Sequence, residues 1–466
     1  MSELNGVRGS FFDFIDDPWK HVGEEQKSAR FLPDGLLVIR AGKVEEFGPY
    51  EVVAPKYPQL EVIHLRDRLI LPGFIDGHIH FPQTRVLGSY GEQLLPWLEK
   101  WVFPEELKYR DPAYAQEGAV HFFDNLLASG TTTCQAFTTS SPSSVEAFFN
   151  EATKRSMRVI AGLTGIDRFA PPEYLNHPEQ FYRENIELIA KYHGKDRNLY
   201  AITPRFAFGA SHHLMEVCRR LKREYPDCWV NTHISENPTE CRGVLNLYPD
   251  CHDYLGVYEK YDLVGPKFTG AHGVYLSNDE FRRFHEKDAS ISFCPCSNLF
   301  LGSGLFRLGR ATDPDCRVRL TFGTDVGGGN RFSMLGVLDE AYKVGMCNNT
   351  MLDGSLNPAH QDRAEAERNK LSAYRAFWSI TLGGAHGLFL EDKLGNFDKG
   401  KEADFVALDP SSGPPAMAWH RSLLCDGEPQ TMEEAAELLF SVMMVGDDRC
   451  VDETWIMGKR AYKKTP

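Results

Sequence analysis

The 466-residue chain lacks any run of about 18 apolar residues, the length a membrane-spanning helix requires. Its most apolar stretch, Leu438 to Val445, is short enough for a buried strand or helix. Positive charge is not in excess: 51 Lys+Arg stand against 65 Asp+Glu, a formal net charge of −14. Nucleic-acid backbones and anionic membrane surfaces both reward a basic face, so neither is expected as a partner. The N-terminus, acidic at Asp13, Asp16 and Asp17, has no basic-then-apolar signal pattern. The 11 cysteines are an odd, scattered set without a disulfide framework, and a reducing cytoplasm is the expected compartment. In that compartment Asn348-Asn349-Thr350 is a chance match to a glycosylation acceptor. No fixed-period repeat or low-complexity block occurs.

What is present is an ordinary globular composition, 42% hydrophobic and 25% charged. Such a chain buries a large core and needs neither disulfide nor metal merely to fold. Its length admits two or three domains of ~150 residues, or one α/β barrel of ~250 or more.

Strand-like runs open the chain at Leu36–Ile39, Val44–Glu45, Val62–Leu65 and Arg68–Leu71. From Pro72-Gly73 to about Leu390, apolar strands alternate with helical periodicity. One strand leads into His78; others read at Gly130–Thr133, Val159–Leu163, Leu199–Ile202, Trp229–Asn231, Phe268–Ala271, Ser290–Phe293 and Val318–Phe322. Eight alternating β and α units suit a closed parallel barrel. Short strands return at Ala403–Leu408 and Glu453–Met457. The expected architecture is therefore α/β: a distorted (β/α)8 TIM barrel over residues 72–392. Residues 1–71 and 393–466 would pair into one small β-sandwich domain, with Pro410 to Pro415 an excursion within it.

His78 and His80 are two apart on a strand, so both side chains enter the barrel interior. Two imidazoles so placed can hold zinc at ~2.0–2.1 Å. Further donors end other strands: His233 with Glu236 three residues on, His272, and Asp325 before Gly327-Gly328-Gly329. Barrel enzymes build their sites on this C-terminal face. His78, His80, His233 and Asp325 form an N/O shell with a position left for water. Glu236 and His272 sit beside it as acid/base groups. Any one of these has a bland alternative, a core histidine or a capping Asp; four at strand ends do not.

The segments Pro72 to His80, Thr232 to Glu236, Ala271 to Gly273 and Gly323 to Asp325 resemble the amidohydrolase superfamily. Within it the chain is most similar to the guanine deaminases. That likeness is carried by His80-Phe-Pro-Gln83, Leu94 to Leu98 with Phe103-Pro104, Thr203 to Phe206, Ser235 to Asn237 and Ser292 to Leu299. Cys296 stands in the last of these where a polar residue is expected. The resemblance implies one Zn2+ per subunit on His78, His80, His233 and Asp325. The absence of Lys between Leu199 and Phe208 favours one metal over two. It implies a homodimer acting on guanine and water, with Gln83, Arg205 and Phe206 lining the purine pocket beside His233 and Asp325. Glu236, Asp325 and His272 would carry the proton transfers of deamination to xanthine and ammonia.

Two rivals stand beside that reading. One keeps the zinc but takes another aminated heterocycle, such as cytosine, adenosine or a triazine. The other is a catalytically silent barrel serving as a scaffold, which predicts gaps in the ligand set. The glycine run at 327–329 has no Lys at Walker spacing and is not a phosphate loop. Cys294 and Cys296 read as buried thiols, His212-His213 as a helix start after Ser211, and Trp97 with Trp101 as one helical packing face.

Overall fold

The computed structural model describes residues 4–91, 93–352, 362–424 and 428–465. The N-terminal strands are β1 (Leu4–Phe14), β2 (Ala29–Arg40), β3 (Lys43–Pro49) and β4 (Glu61–Pro72). The barrel region holds β5 (Phe74–His80), β6 (Thr131–Phe137), β7 (Arg158–Gly162), the two-residue β8 (Thr164–Gly165) and β9 (Asn198–Pro204). It continues through β10 (Trp229–Ile234), β11 (Phe268–His272), β12 (Ser290–Phe293) and β13 (Arg319–Phe322). The C-terminal strands are β14 (Phe405–Leu408), β15 (Val451–Ile456) and β16 (Lys459–Lys463).

Strands β5, β6, β7, β9, β10, β11, β12 and β13 are neighbours in chain order and all parallel, with β8 extending the sheet beside β9. The ring closes between its ends: Asp325 N–H donates to the His78 carbonyl, and His80 N–H to that of Val326, both at 2.9 Å. Closure therefore sets two metal-ligand candidates on neighbouring backbones. On the outer face Cys134, Val159, Ile202, Val230, Phe268, Ile291 and Phe322 bury against the surrounding helices. Ile75, Ile160, Ala201 and Trp229 form the barrel floor with Ala385, Leu388, Leu390 and Leu394.

The chain's two ends make one continuous sheet, in the order β16-β15-β14-β4-β1-β2-β3. Register shifts in β1, β2 and β14 bend it around Phe11, Ile39, Phe397, Phe405 and Trp455, so the sandwich is a single sheet folded on itself. The sequence reading places no strand before Leu36, yet β1 lies inside the sheet, parallel to β4 and antiparallel to β2. Its alternation is diluted by Gly6 and Gly9. A Cβ at those positions would come within 2.6 Å of Leu60 and 2.8 Å of Ile70, so close packing chose the glycines that hid the strand. The two runs at 62–65 and 68–71 are one strand, interrupted at Asp67, which takes a left-handed φ of 56°. Leu438 to Val445 belongs to the helix Met432–Val445. The Pro410–Pro415 excursion leads into a helix at Pro415–Leu424. Among the described residues no helix is long and apolar enough to cross a membrane.

A buried arginine–carboxylate cluster ties the terminal sheet to the barrel. Glu402 accepts from Arg158, with Nε at 2.8 Å, and from Arg197 Nη2 at 2.6 Å. Asp404 also accepts from Arg197, at 2.5 Å, and from the Met457 N–H at 2.8 Å.

Candidate metal centre and purine pocket

β5 carries His78 and His80 inward, β10 carries His233, and the turn after β13 carries Asp325. Donor atoms of all four lie within 4.8 Å of one another, and all four residues are buried. Nε2 of His80 is 3.1 Å from Nε2 of His233. Asp325 Oδ1 is 3.2 Å from Nε2 of both His78 and His80. Tetrahedral bonds of ~2.0–2.1 Å give ligand–ligand edges of about 3.3 Å, so the spacing matches a small divalent cation. Charge state agrees. Burial lowers the pKa of His78, drives that of His233 well down, and pushes His80 to about 4 despite Asp325. Neutral imidazoles are the ligand form.

Backbone and outer contacts aim these donors. His233 Nδ1–H donates to the Arg205 carbonyl at 2.6 Å, which leaves Nε2 as the lone-pair nitrogen. Asp76, fully buried, accepts from the His78 and Thr324 amides at 3.1 Å each and from the Thr324 hydroxyl at 2.5 Å. It thereby locks the segment before the histidines to the segment before Asp325. Asp325 and His272 take left-handed φ values of 50° and 76°, strain typical of functional positions. Close approach also explains the local glycines: a Cβ on Gly323 would sit 2.7 Å from the His78 carbonyl, and one on Gly329 1.7 Å from that of Thr324.

Glu236 and His272 adjoin this cluster. His272 Nε2 is 3.4 Å from Glu236 Oε2 and 3.8 Å from Asp325 Oδ2, and its Nδ1 is held 2.9 Å from Asn298 Oδ1. Burial, then the charges of Asp325 and Glu240, raises the Glu236 carboxyl well above its ordinary range. It faces the cavity, and that shift favours its protonated form.

That cavity is lined by His80, His233, Asp325 and Glu236 on one side. Gln83, Arg205, Phe206, Leu94, Trp97, Leu98, Leu301 and Gly328 make the rest. All the sequence-predicted pocket residues converge here; Arg205, readable from sequence as a surface charge, is 2% exposed. Trp97 and Trp101 pack in one hydrophobic cluster, as their spacing suggests. The helix turns π-type over Leu98–Val102, which leaves Trp97 in the pocket wall while Trp101 donates to the Tyr90 carbonyl. Sequence reasoning missed Glu106 and Tyr174, which bind Arg205 from behind. Only the acidic pair Glu105-Glu106 beside the Phe103-Pro104 motif hinted at the first. Ten described cysteines are unpaired thiols, Cys294 and Cys296 among the buried ones.

A parallel eight-stranded barrel whose strand ends gather three histidines and an aspartate defines a class of metal-dependent hydrolase. The chain belongs to the amidohydrolase family, whose model matches residues 69–461. It is 44% identical over 466 residues to guanine deaminase of Escherichia coli (strain K12), covering 99% of this chain and 98% of that protein. It is 33% identical over 441 residues to guanine deaminase of Mus musculus, covering 92% of each. Among solved structures, guanine deaminase from Bradyrhizobium japonicum superposes with a TM-score of 0.99. The identity there is 69%, over 99% of this chain and 100% of that one.

Proposed function

We infer that this chain hydrolyses guanine to xanthine and ammonia. The observation that carries the reading is the pocket's two-sided chemistry. Metal-ligand candidates and the Glu236 carboxyl, its pKa raised by burial, line one wall, while Arg205 and Gln83 line the wall that would meet a carbonyl-bearing ring edge. Phe206, Trp97 and Leu98 supply apolar surface for a flat purine. Full-length similarity to guanine deaminases supports the same substrate.

His78, His80, His233 and Asp325 would hold one Zn2+ per subunit. When bound, zinc lowers the pKa of a coordinated water towards ~7 and so supplies a nucleophile at neutral pH. Asp325 takes the attacking water's first proton, and His272 orients that water through its 3.8 Å approach to Asp325 Oδ2. As the new C–O bond forms at purine C2, Glu236 gives its proton to the adjacent ring nitrogen. Glu236, now ionised, takes the proton left on the new C2 hydroxyl and passes it to the departing amine. The C2–N bond breaks, the C2 carbonyl forms, ammonia leaves, and the proton held by Asp325 returns to Glu236.

The reading extends to a homodimer in the cytoplasm, supported by the family resemblance and by the unpaired thiols. It also keeps the limits 1–71, 72–392 and 393–466 for the sheet domain's two parts and the barrel between them. An ultraviolet assay of guanine conversion, run with metal analysis, tests the activity. The expected result is turnover proportional to bound zinc. A zinc-replete sample inert toward guanine, or faster on cytosine or adenosine, would overturn it.

A further inference from the structure

Glu106 lies behind the pocket wall with no exposed surface, in a short helical turn (Phe103–Glu106) outside the cavity lining. Both its oxygens are fully engaged. Oε1 accepts from Gln83 Nε2 at 2.9 Å and from Arg205 Nη1 at 3.2 Å. Oε2 accepts from Arg205 Nη1 at 2.9 Å and from the Tyr174 hydroxyl. On its other side, Gln83 Oε1 accepts from the Gly327 N–H at 3.1 Å.

These bonds have a consequence for the pocket's polarity. A carboxamide is nearly symmetric in shape, and its orientation is set by its partners. A carboxylate accepts and never donates when ionised, so Glu106 draws the NH2 of Gln83 towards itself. Gly327, a donor, draws the oxygen. Gln83 is left with one N–H and one oxygen lone pair uncommitted. That is the complement of a cis-lactam edge, in which a ring N–H stands beside a ring carbonyl. Glu106 also commits only Nη1 of Arg205 and opposes its buried charge. Burial, the largest single influence, works against the cation, but the Glu106 charge and hydrogen bonds together with Tyr174 and Asp325 outweigh it, so the guanidinium pKa stands above its usual value.

We propose that Glu106 is the positioning residue that sets the pocket's specificity for a lactam-bearing purine, by fixing the Gln83 amide and aligning Arg205 without touching substrate. The proposal rests on the guanine reading above, and wild-type turnover of guanine is the control that separates the two. The test compares Glu106→Gln with wild type in zinc-replete form, using guanine as substrate and 2-aminopurine as competitor. 2-Aminopurine has the same amino-bearing carbon but neither the carbonyl nor the adjacent ring N–H.

A neutral amide at 106 presents a donor where both neighbours also donate. The expected result is a rise in KM for guanine of about 10- to 100-fold, from the loss of charge-assisted bonds. Turnover at saturation should stay within a few-fold, zinc content should be unchanged, and the affinity of 2-aminopurine should be nearly unaltered. Equal losses for guanine and 2-aminopurine, or an unchanged KM for guanine, would overturn the proposal. Should Glu106→Gln fail to fold, Tyr174→Phe decides. It removes one bond to Glu106 and should raise the guanine KM while sparing 2-aminopurine; parallel changes in both would refute the role.

Discussion

Nε2 of His80 lies 3.1 Å from Nε2 of His233, with the two rings inclined by only 20°. The His233 tautomer turns a lone pair toward His80. Two such nitrogens in a dry pocket are held best by a cation between them. Chelation of the metal should therefore abolish activity and lower the thermal midpoint, and zinc should restore both. A ligand at 100 times its Kd stabilises the folded state by about 2.7 kcal/mol. Thermal unfolding with and without zinc, alongside metal analysis, checks this; full activity in a metal-free sample would sink it.

Glu236→Gln preserves shape and removes the transferable proton. Metal content should be retained while kcat falls by about 10²- to 10⁴-fold, the usual contribution of a positioned acid/base group. Steady-state kinetics on a metal-replete sample decide the matter. Near-normal kcat would remove Glu236 from the mechanism.

The metal-free protein should show a defined acid sensitivity. Burial holds His80 at about 4, below the unfolded value of 6.5, so the folded chain resists binding a proton that the unfolded chain accepts. The associated stability is fully present above pH 6.5 and is lost progressively as pH falls toward 4. Urea unfolding of the chelated wild type against chelated His80→Asn measures it. The variant should lose less stability across that window, and identical pH profiles would contradict the assignment.

Glu402 bridges Arg158 and Arg197 where the terminal sheet meets the barrel. Glu402→Ala leaves two buried guanidinium groups without this partner, Arg158 losing its closest carboxylate. Breaking a buried pair costs about 3–5 kcal/mol. Denaturant midpoints should fall accordingly, while KM for guanine, measured well below the transition, stays at the wild-type value. A shift in KM with no loss of stability would contradict a purely structural role.

The strand-end donors were legible because the barrel's rules are local. A two-residue repeat puts His78 and His80 on one face, and single residues at the ends of apolar runs mark the C-terminal rim. The eight barrel strands read directly because short β-prone runs rich in apolar and Thr residues recur between helix-length intervals. Strand β1 was not legible. Gly6 and Gly9 answer to side chains from β4 and the loop before it, a constraint visible only once those strands are neighbours.

By itself, the sequence determined the absence of long apolar spans, the acidic balance, the alternating β and α units and the identities of the metal-ligand candidates. Each of these is written in spacing or composition. Tertiary structure alone decided which buried charges face each other. Arg205 is the clearest case: nothing within several residues of it is acidic, and its partner Glu106 lies about a hundred positions away in sequence, |i−j| of 99. A guanidinium buried unpaired would be prohibitively costly, so the fold had to bring that carboxylate to it, and only closure of the barrel loops does so.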